Sequence, residues 1–335
     1  MAKILITGGA GFIGSHLAQE LSQDHEIVVL DNLSGGYAEN VPKGVKLIIN
    51  DITNEKIIEF LFQKYRFDYV FHLAAYAAEG LSHFIRKFNY ENNVIGSINL
   101  INASIKYDVK KFIFTSSMGV YGSAQAPFDE DMKPAPEDPY GIAKYAVEQD
   151  LESAQKMFGL NYVIFRPHNV YGPKQNIWDK YRNVIGIFML QLLNGLPMTI
   201  FGDGEQVRSF SYVSDIVYGL TQSIKNSAFN SKIFNIGADK FYTINSLASE
   251  VASALNLPKN IINLAPRYEV KIAYPNHAKI QKFGIYPEIE LQNGLSIMAK
   301  WAKENYDKRK SNEFLNIEQI KNIPPKWLLY INDQN

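Results

Sequence analysis

Lys3-Ile4-Leu5-Ile6-Thr7-Gly8-Gly9-Ala10-Gly11-Phe12-Ile13-Gly14 decides the fold. Five residues, Lys3 to Thr7, read as an apolar strand, and the chain then runs through glycines into a helix. Gly8 lets the backbone turn, Gly11 lets it approach a pyrophosphate without a Cβ in the way, and Gly14 lets the helix pack close on the strand. The free N–H groups and dipole of the helix N-terminus favour an anion there. A second apolar strand, Glu26 to Leu30, ends on Asp31, at about the 20-residue distance of a ribose-binding acid. A carboxylate accepts hydrogen bonds from ribose hydroxyls and repels a 2′-phosphate, and no Arg or Lys follows closely to rescue that phosphate. The expected cofactor is NAD.

Apolar strand-like runs alternate with helical patterns through the first half: Lys46 to Ile49 then Lys56 to Gln63, Tyr69 to Leu73 then Phe84 to Tyr107, Lys111 to Ser116 then Tyr140 to Phe158, and Tyr162 to Phe165. Such alternation argues an α/β fold, a Rossmann-type doubly wound parallel sheet with helices on both faces. After Arg166 the segments shorten and Gly, Pro and Asn become frequent. Helix-like Val184 to Asn194, strand-like Met198 to Phe201, a helix from Val213, a strand Lys232 to Asn235 and a helix from Ile244 suggest a smaller C-terminal α/β lobe that interleaves with the first. The expected division is 1–166 for the dinucleotide, with later segments returning to it, 167–306 for a substrate, and 307–335 as a solvated extension.

The chain has 335 residues, 34 acidic and 34 basic, and no cysteine. Charge balance gives no footprint for nucleic acid or an anionic membrane, which favours a compact ligand. The absence of cysteine excludes disulfides, thiolate metal sites and thiol nucleophiles, and fits a reducing cytoplasm. No uncharged run of membrane-spanning length and no signal-peptide pattern is present, so a cytoplasmic protein is expected. The six histidines lack the i,i+4 pairing of a helical metal site, and no metal is expected.

Tyr140-Gly141-Ile142-Ala143-Lys144 opens a helix and puts a phenol and an ammonium one turn apart on one face. A Tyr titrates near 10, so its use as a base at neutral pH requires a drop of roughly 3 pKa units. A nearby ammonium and an oxidised nicotinamide both favour the phenolate. Phe112-Ile113-Phe114-Thr115-Ser116-Ser117 is an apolar strand ending in hydroxyls at the sheet edge where ligands bind. A hydroxyl there can relay a proton from a substrate alcohol to the phenolate; strand-end capping is the structural alternative.

Taken with Asp31-Asn32, Asp51-Ile52, His72-Leu73-Ala74-Ala75, Asn92-Asn93-Val94 and Val120-Tyr121-Gly122, these motifs resemble the extended short-chain dehydrogenase/reductases, specifically the nucleotide-sugar epimerase/dehydratase family, over about residues 3 to 300. The resemblance implies a tightly held NAD, a nucleotide-sugar substrate, usually a UDP-hexose, and a homodimer. Position by position it implies catalysis by Ser117, Tyr140 and Lys144. For the cofactor it implies Gly8, Gly11, Phe12, Ile13, Gly14, Asp31, Asn32, Asp51, Ile52, Leu73, Ala74, Ala75 and Asn93 besides Tyr140 and Lys144. For the substrate it implies Ser117, Met118, Asn169, Thr199, Phe201, Arg208, Arg267 and Ala273, with the uracil on strand Met198 to Phe201 and the diphosphate between the two arginines. His168, where the family usually shows an aromatic residue, is expected to be packed and hydrogen-bonded.

The family's dehydratases keep an Asp-Glu pair after the catalytic hydroxyl, where this chain has Met118-Gly119. Relatives that epimerise glucuronate keep hydroxyls there. Ala273 falls where a bulky Tyr excludes N-acetyl sugars, while Ala77-Ala78 replaces a basic residue of many hexose epimerases. The implied activity is UDP-hexose 4-epimerisation on UDP-glucose, UDP-galactose and UDP-N-acetylhexosamines. UDP-glucuronate 4-epimerisation, another nucleotide-sugar dehydratase or reductase, and a catalytically silent NAD sensor are the alternatives.

Overall fold

The computed structural model describes residues 1–267, 269–308 and 317–332. Strands β1 (Lys3–Thr7), β2 (Glu26–Asp31), β3 (Lys46–Ile49), β4 (Tyr69–His72), β5 (Lys111–Thr115), β6 (Tyr162–Pro167) and β11 (Lys232–Ile236) form one sheet in the order β11-β6-β5-β4-β1-β2-β3. Every pairing in it is parallel. The skipped numbers belong to short strands of the second lobe: β7 (Val170–Tyr171), β8 (Met198–Phe201), β9 (Val207–Ser209), β10 (Ser211–Tyr212), β12 (Phe241–Thr243), β13 (Ile261–Leu264) and β14 (Ile272–Ala273).

Side chains alternate across the sheet, and both faces are covered, which is why the strands read as unbroken apolar runs. Ile4, Ile6, Val29, Phe71, Ile113 and Phe165 bury on one face. Leu5, Val28, Leu30, Val70, Phe112 and Ile164 bury on the other. Strand order reverses between β1 and β4, and the crevice beyond their carboxyl ends is where such a sheet binds ligands.

Two elements depart from the sequence reading. Residues 84–107 form helix Arg86–Tyr90, a π-helical turn Glu91–Ile95 and helix Gly96–Lys106. The wide turn carries Asn93 inward to full burial, where its side chain holds the Tyr76 backbone through both N–H (3.0 Å) and C=O (3.4 Å). Residues 317–328, expected in a solvated extension, instead pack on the segment 76–88. Glu318 accepts hydrogen bonds from the N–H groups of Lys87 and Phe88 at 2.8 Å each, completing the open N-terminus of helix Arg86–Tyr90. Trp327, only 3% exposed, buries with Tyr76, Leu81 and Ile85.

Helix Pro139–Phe158 has the strongest local signals. Asp138 caps it by accepting from the N–H groups of Tyr140 and Gly141, Pro139 occupies the first turn, and Gly159 ends it in the left-handed conformation (φ 76°). Its third turn supplies Glu148, fully buried against Arg166 of β6 in a two-pronged pair, Nε–Oε1 3.0 Å and Nη2–Oε2 2.5 Å. Arg166 also donates to the Tyr121 hydroxyl (2.8 Å), which donates to Asn235 of β11 (2.7 Å).

Removing one member of a buried pair strands the other charge. Glu148→Ala is therefore expected to cost about 3–5 kcal/mol of unfolding free energy. Urea denaturation checks this; a loss under about 1 kcal/mol, the range of a surface pair, contradicts it.

Candidate active site

A single cavity of about 1200 Å³ runs from the glycine loop across the carboxyl ends of the strands into the second lobe. It exceeds the roughly 300–1,000 Å³ of a site for one small ligand, as a dinucleotide plus a substrate requires. Of the residues singled out in the sequence, Gly8, Gly11, Phe12, Ile13, Gly14, Asp31, Asn32, Ile52, Leu73, Ala74, Ala75, Ser117, Met118, Tyr140, Lys144, Asn169, Thr199, Phe201, Arg208, Arg267 and Ala273 all line it. Asp51 and Asn93 do not. Asp51 accepts from Asn32 (2.6 Å) and from the backbone and hydroxyl of Thr53, one bond removed from the wall. Asn93 supports the wall through Tyr76.

The dinucleotide end fits NAD. A Cβ on Gly8 would lie 2.7 Å from the Ala74 nitrogen, and one on Gly14 2.2 Å from the Gly8 oxygen, so both glycines are required by close packing. Helix Phe12–Leu21 starts at Gly11 with no side-chain cap and no acid in its first turn, leaving its N–H groups for an anion. Asp31 is oriented by accepting from the N–H groups of Ala10 (3.0 Å) and Leu33 (2.8 Å); burial raises its carboxyl above the usual value, and those bonds oppose the rise. His72 is occupied by Thr7 and Ser97 at 2.7 Å each and serves the wall rather than a ligand.

At the chemical centre, burial raises the Tyr140 phenol above its ordinary value. A hydrogen bond from Ser117 pulls it down, the charges of Glu79 and Asp138 push it up, and that of Arg182 lowers it. Lys144 donates to the Thr115 carbonyl (2.8 Å) with its nitrogen 5.8 Å from the Tyr140 ring centroid, and burial pushes its ammonium down to about 7. Ser117 caps the short turn Met118–Tyr121, accepting from the Gly119 N–H at 3.1 Å, which aims its hydroxyl at the cavity. Beside it the Ser116 hydroxyl is buried with no partner among the described residues. The arrangement can move a proton between a bound alcohol, the Ser117 hydroxyl and the Tyr140 phenol.

The second-lobe wall is engaged internally. Glu269 lies 3.6 Å from Arg208 and 3.2 Å from Arg267. Arg267 covers the Phe201 ring (4.6 Å), the face expected to meet a base, and Gln191 takes the Thr199 N–H (3.0 Å). Asn169, at φ 37°, donates to the Ser209 carbonyl (2.8 Å). His168 is buried between Ser211 (3.2 Å) and a stacked His277, with burial holding it neutral, as its packed reading required.

Three wall features escaped the sequence reading. Glu79, exposed and lining the cavity, has its carboxyl raised to about 7 by desolvation and by Asp138. Arg182 pairs with Asp179 at 2.6 Å over the Tyr76 ring. Ile323 to Trp327 close the wall from the C-terminal segment. None stands in a recognisable motif; an acid or base in a helix-rich stretch carries no signal of the cavity it will face.

The sequence profile of the NAD dependent epimerase/dehydratase family matches residues 4–237. The chain belongs to that family. A putative UDP-glucose 4-epimerase of Methanocaldococcus jannaschii is 33% identical over 306 residues, 90% of this chain and 99% of that protein. The structure of a Thermotoga maritima UDP-glucose 4-epimerase with UDP-glucose superposes with a TM-score of 0.87 at 36% identity, covering 91% of this chain and all of that one. A UDP-glucuronic acid 4-epimerase from Bacillus cereus in complex with UDP-glucuronic acid and NAD superposes at 0.83 with 28% identity, covering 90% and 99%. The protein is an NAD-dependent enzyme of this family with a Rossmann-type fold. Among the described residues no helix is long and apolar enough to cross a membrane.

Glu79 gives a signed pH effect. Below the ordinary Glu range of about 4.3 the side chain is neutral folded or unfolded. Above about 7 the folded protein carries a desolvated charge, so the stability its neutral form gives is lost as pH rises through that window. The melting-temperature advantage of Glu79→Gln over the parent, both free of ligand, is expected to grow between pH 4.5 and 7. A flat difference across that range contradicts the assignment.

Proposed function

We propose that the enzyme is a UDP-hexose 4-epimerase acting through transient oxidation at carbon 4, with Tyr140 as base then acid, Ser117 as hydroxyl relay and Lys144 as electrostatic support. The observation that carries the reading is the convergence of these three side chains on one cavity in which the next two residues, Met118 and Gly119, hold no titratable group. NAD bound in the cavity supplies a hydride acceptor and a positive ring. Tyr140 takes the carbon 4 hydroxyl proton, directly or through Ser117, and Lys144 stabilises the phenolate. Inversion then requires only that the 4-keto sugar turn over before hydrogen returns; Tyr140 gives the proton back. Elimination of water would need a further acid and base, which Met118 and Gly119 cannot provide.

Several observations bear on the substrate. Ala273, 4% exposed and on the wall, offers room that a bulky side chain would fill, so N-acetylhexosamines are taken to be accepted alongside UDP-glucose and UDP-galactose. Glu79, near enough to Tyr140 to shift its phenol, disfavours a second carboxylate and so weighs against a uronate. Arg208 and Arg267, held by Glu269, are assigned to the diphosphate, which replaces that carboxylate, and β8 to the uracil. Asp31, Asn32 and the glycine loop are assigned to the adenosine half of NAD. Exposed Ile95 and Ile142 on helical segments 91–95 and 139–158 support a homodimer through that face, and the lack of cysteine supports a cytoplasmic setting.

Proton NMR of the protein incubated separately with UDP-N-acetylglucosamine, UDP-glucose and UDP-glucuronate, without added NAD, is expected to show 4-epimers in the first two tubes only. Conversion of the glucuronate alone overturns the substrate assignment; no conversion in any tube, even with NAD supplied, overturns the activity. In the active tubes Tyr140→Phe is expected to reduce kcat by at least about 10²-fold, in the range of general acid–base catalysis, with the UDP-sugar KM within a few fold. A kcat near that of the parent removes Tyr140 from the mechanism.

A further inference from the structure

Arg182 lies at the seam between the lobes, two residues before helix Val184–Leu193. Its Nε donates to Asp179, and its guanidinium stacks over Tyr76 at 4.7 Å. A Cβ built on Gly35 would come within 2.9 Å of Nη2, so the guanidinium rests against the 35–36 backbone. Gly36 in turn lies against the glycine loop: a Cβ there would meet the Ala10 carbonyl carbon at 2.5 Å and the Gly11 nitrogen at 2.7 Å. Arg182 is thus linked through the adjacent Gly35-Gly36 backbone to the uncapped N-terminus of helix Phe12–Leu21, where the pyrophosphate of a dinucleotide must sit.

Its chemistry is incomplete as it stands. The side chain is 15% exposed and lines the cavity, and among the described residues neither Nη1 nor Nη2 makes a hydrogen bond. A guanidinium donates through a planar fork suited to phosphate oxygens. Ala77 and Ala78, which follow Tyr76, bring no cation to this face. Arg208 and Arg267 are tied to Glu269 elsewhere on the wall. We propose that Arg182 reaches from the second lobe to bind the NAD pyrophosphate opposite the glycine loop, so that cofactor retention depends on both lobes. The inference holds whichever sugar is the substrate.

The test compares the full-length parent with Arg182→Met and Arg182→Lys, measuring NAD carried through purification and, after stripping, the Kd of ADP-ribose and of adenosine by calorimetry. ADP-ribose contains the pyrophosphate and adenosine does not. Arg182→Met is expected to lose carried NAD and to bind ADP-ribose about tenfold or more weaker, the scale of a charged hydrogen bond, with adenosine within twofold. Arg182→Lys, which keeps the charge without the fork, should fall between, and it carries the test alone if the Met variant does not fold. ADP-ribose binding within twofold of the parent in the folded variants overturns the proposal, as does an equal loss for adenosine. A rise confined to the UDP-sugar KM would assign Arg182 to the sugar instead, and the proposal fails.

Discussion

Everything at the chemical centre is indexed to one buried ion pair. Arg166, 1% exposed at the end of β6, cannot be left uncompensated out of water, and Glu148 meets it with both oxygens. Glu148 lies one turn beyond Lys144 and two beyond Tyr140, so the pair fixes the rotation of the helix that presents them. Tyr121, bonded to the same guanidinium, ends the turn that begins beside Ser117, and Asn235 ties the far strand to it. Three side chains from two elements can face one point because a single charge demands that their supports converge.

The electrostatics around that point favour neutral groups until ligands arrive. Burial, reinforced by neighbouring carboxylates, raises Tyr140 and Glu79, and burial lowers Lys144, so in the isolated protein none of the three is a settled charge near pH 7. Placing the phenol of Tyr140 beside Ser117 and within the field of Arg182 partly offsets that cost. The opposite holds at the second-lobe wall, where Glu269 satisfies Arg208 and Arg267 in advance, much as an anion would. One end of the cavity withholds charge, and the other keeps it paired.

The parallel sheet was legible because its strands are short apolar runs, several of them closed by a turn former, as Lys3–Thr7 is by Gly8 and Lys46–Ile49 by Asn50-Asp51, and the limits of these two agree with the periodicity. Tyr140 and Lys144 were legible because the spacing carries its own chemistry. The π turn at Glu91–Ile95 was not, since its sequence satisfies an ordinary helix and only the burial of Asn93 beneath Tyr76 explains the extra residue. The segment around Trp327 read as solvated because an eight-residue helix that opens on the second of two prolines has little periodicity; its partners, Tyr76 and Leu81, lie some 250 positions earlier. Arg182 and Glu79 escaped for the same reason: their meaning arises only where distant segments meet.

The return of the chain to the sheet has a consequence for how this architecture can be taken apart. β11 comes from residues 232–236, after β7 to β10 have been laid down in the other lobe, and it covers the flank of β6 through five paired residues from Val163 to Pro167. A fragment stopping at the apparent lobe boundary would expose β6, buried along nearly its whole length, as a raw edge open to pairing with other chains. Excising the second lobe removes sheet as well as cavity wall. The two lobes are thus a single heritable unit: they can diverge by substitution and by loop insertion, but neither can be exchanged whole for a lobe from another protein without a replacement for that strand.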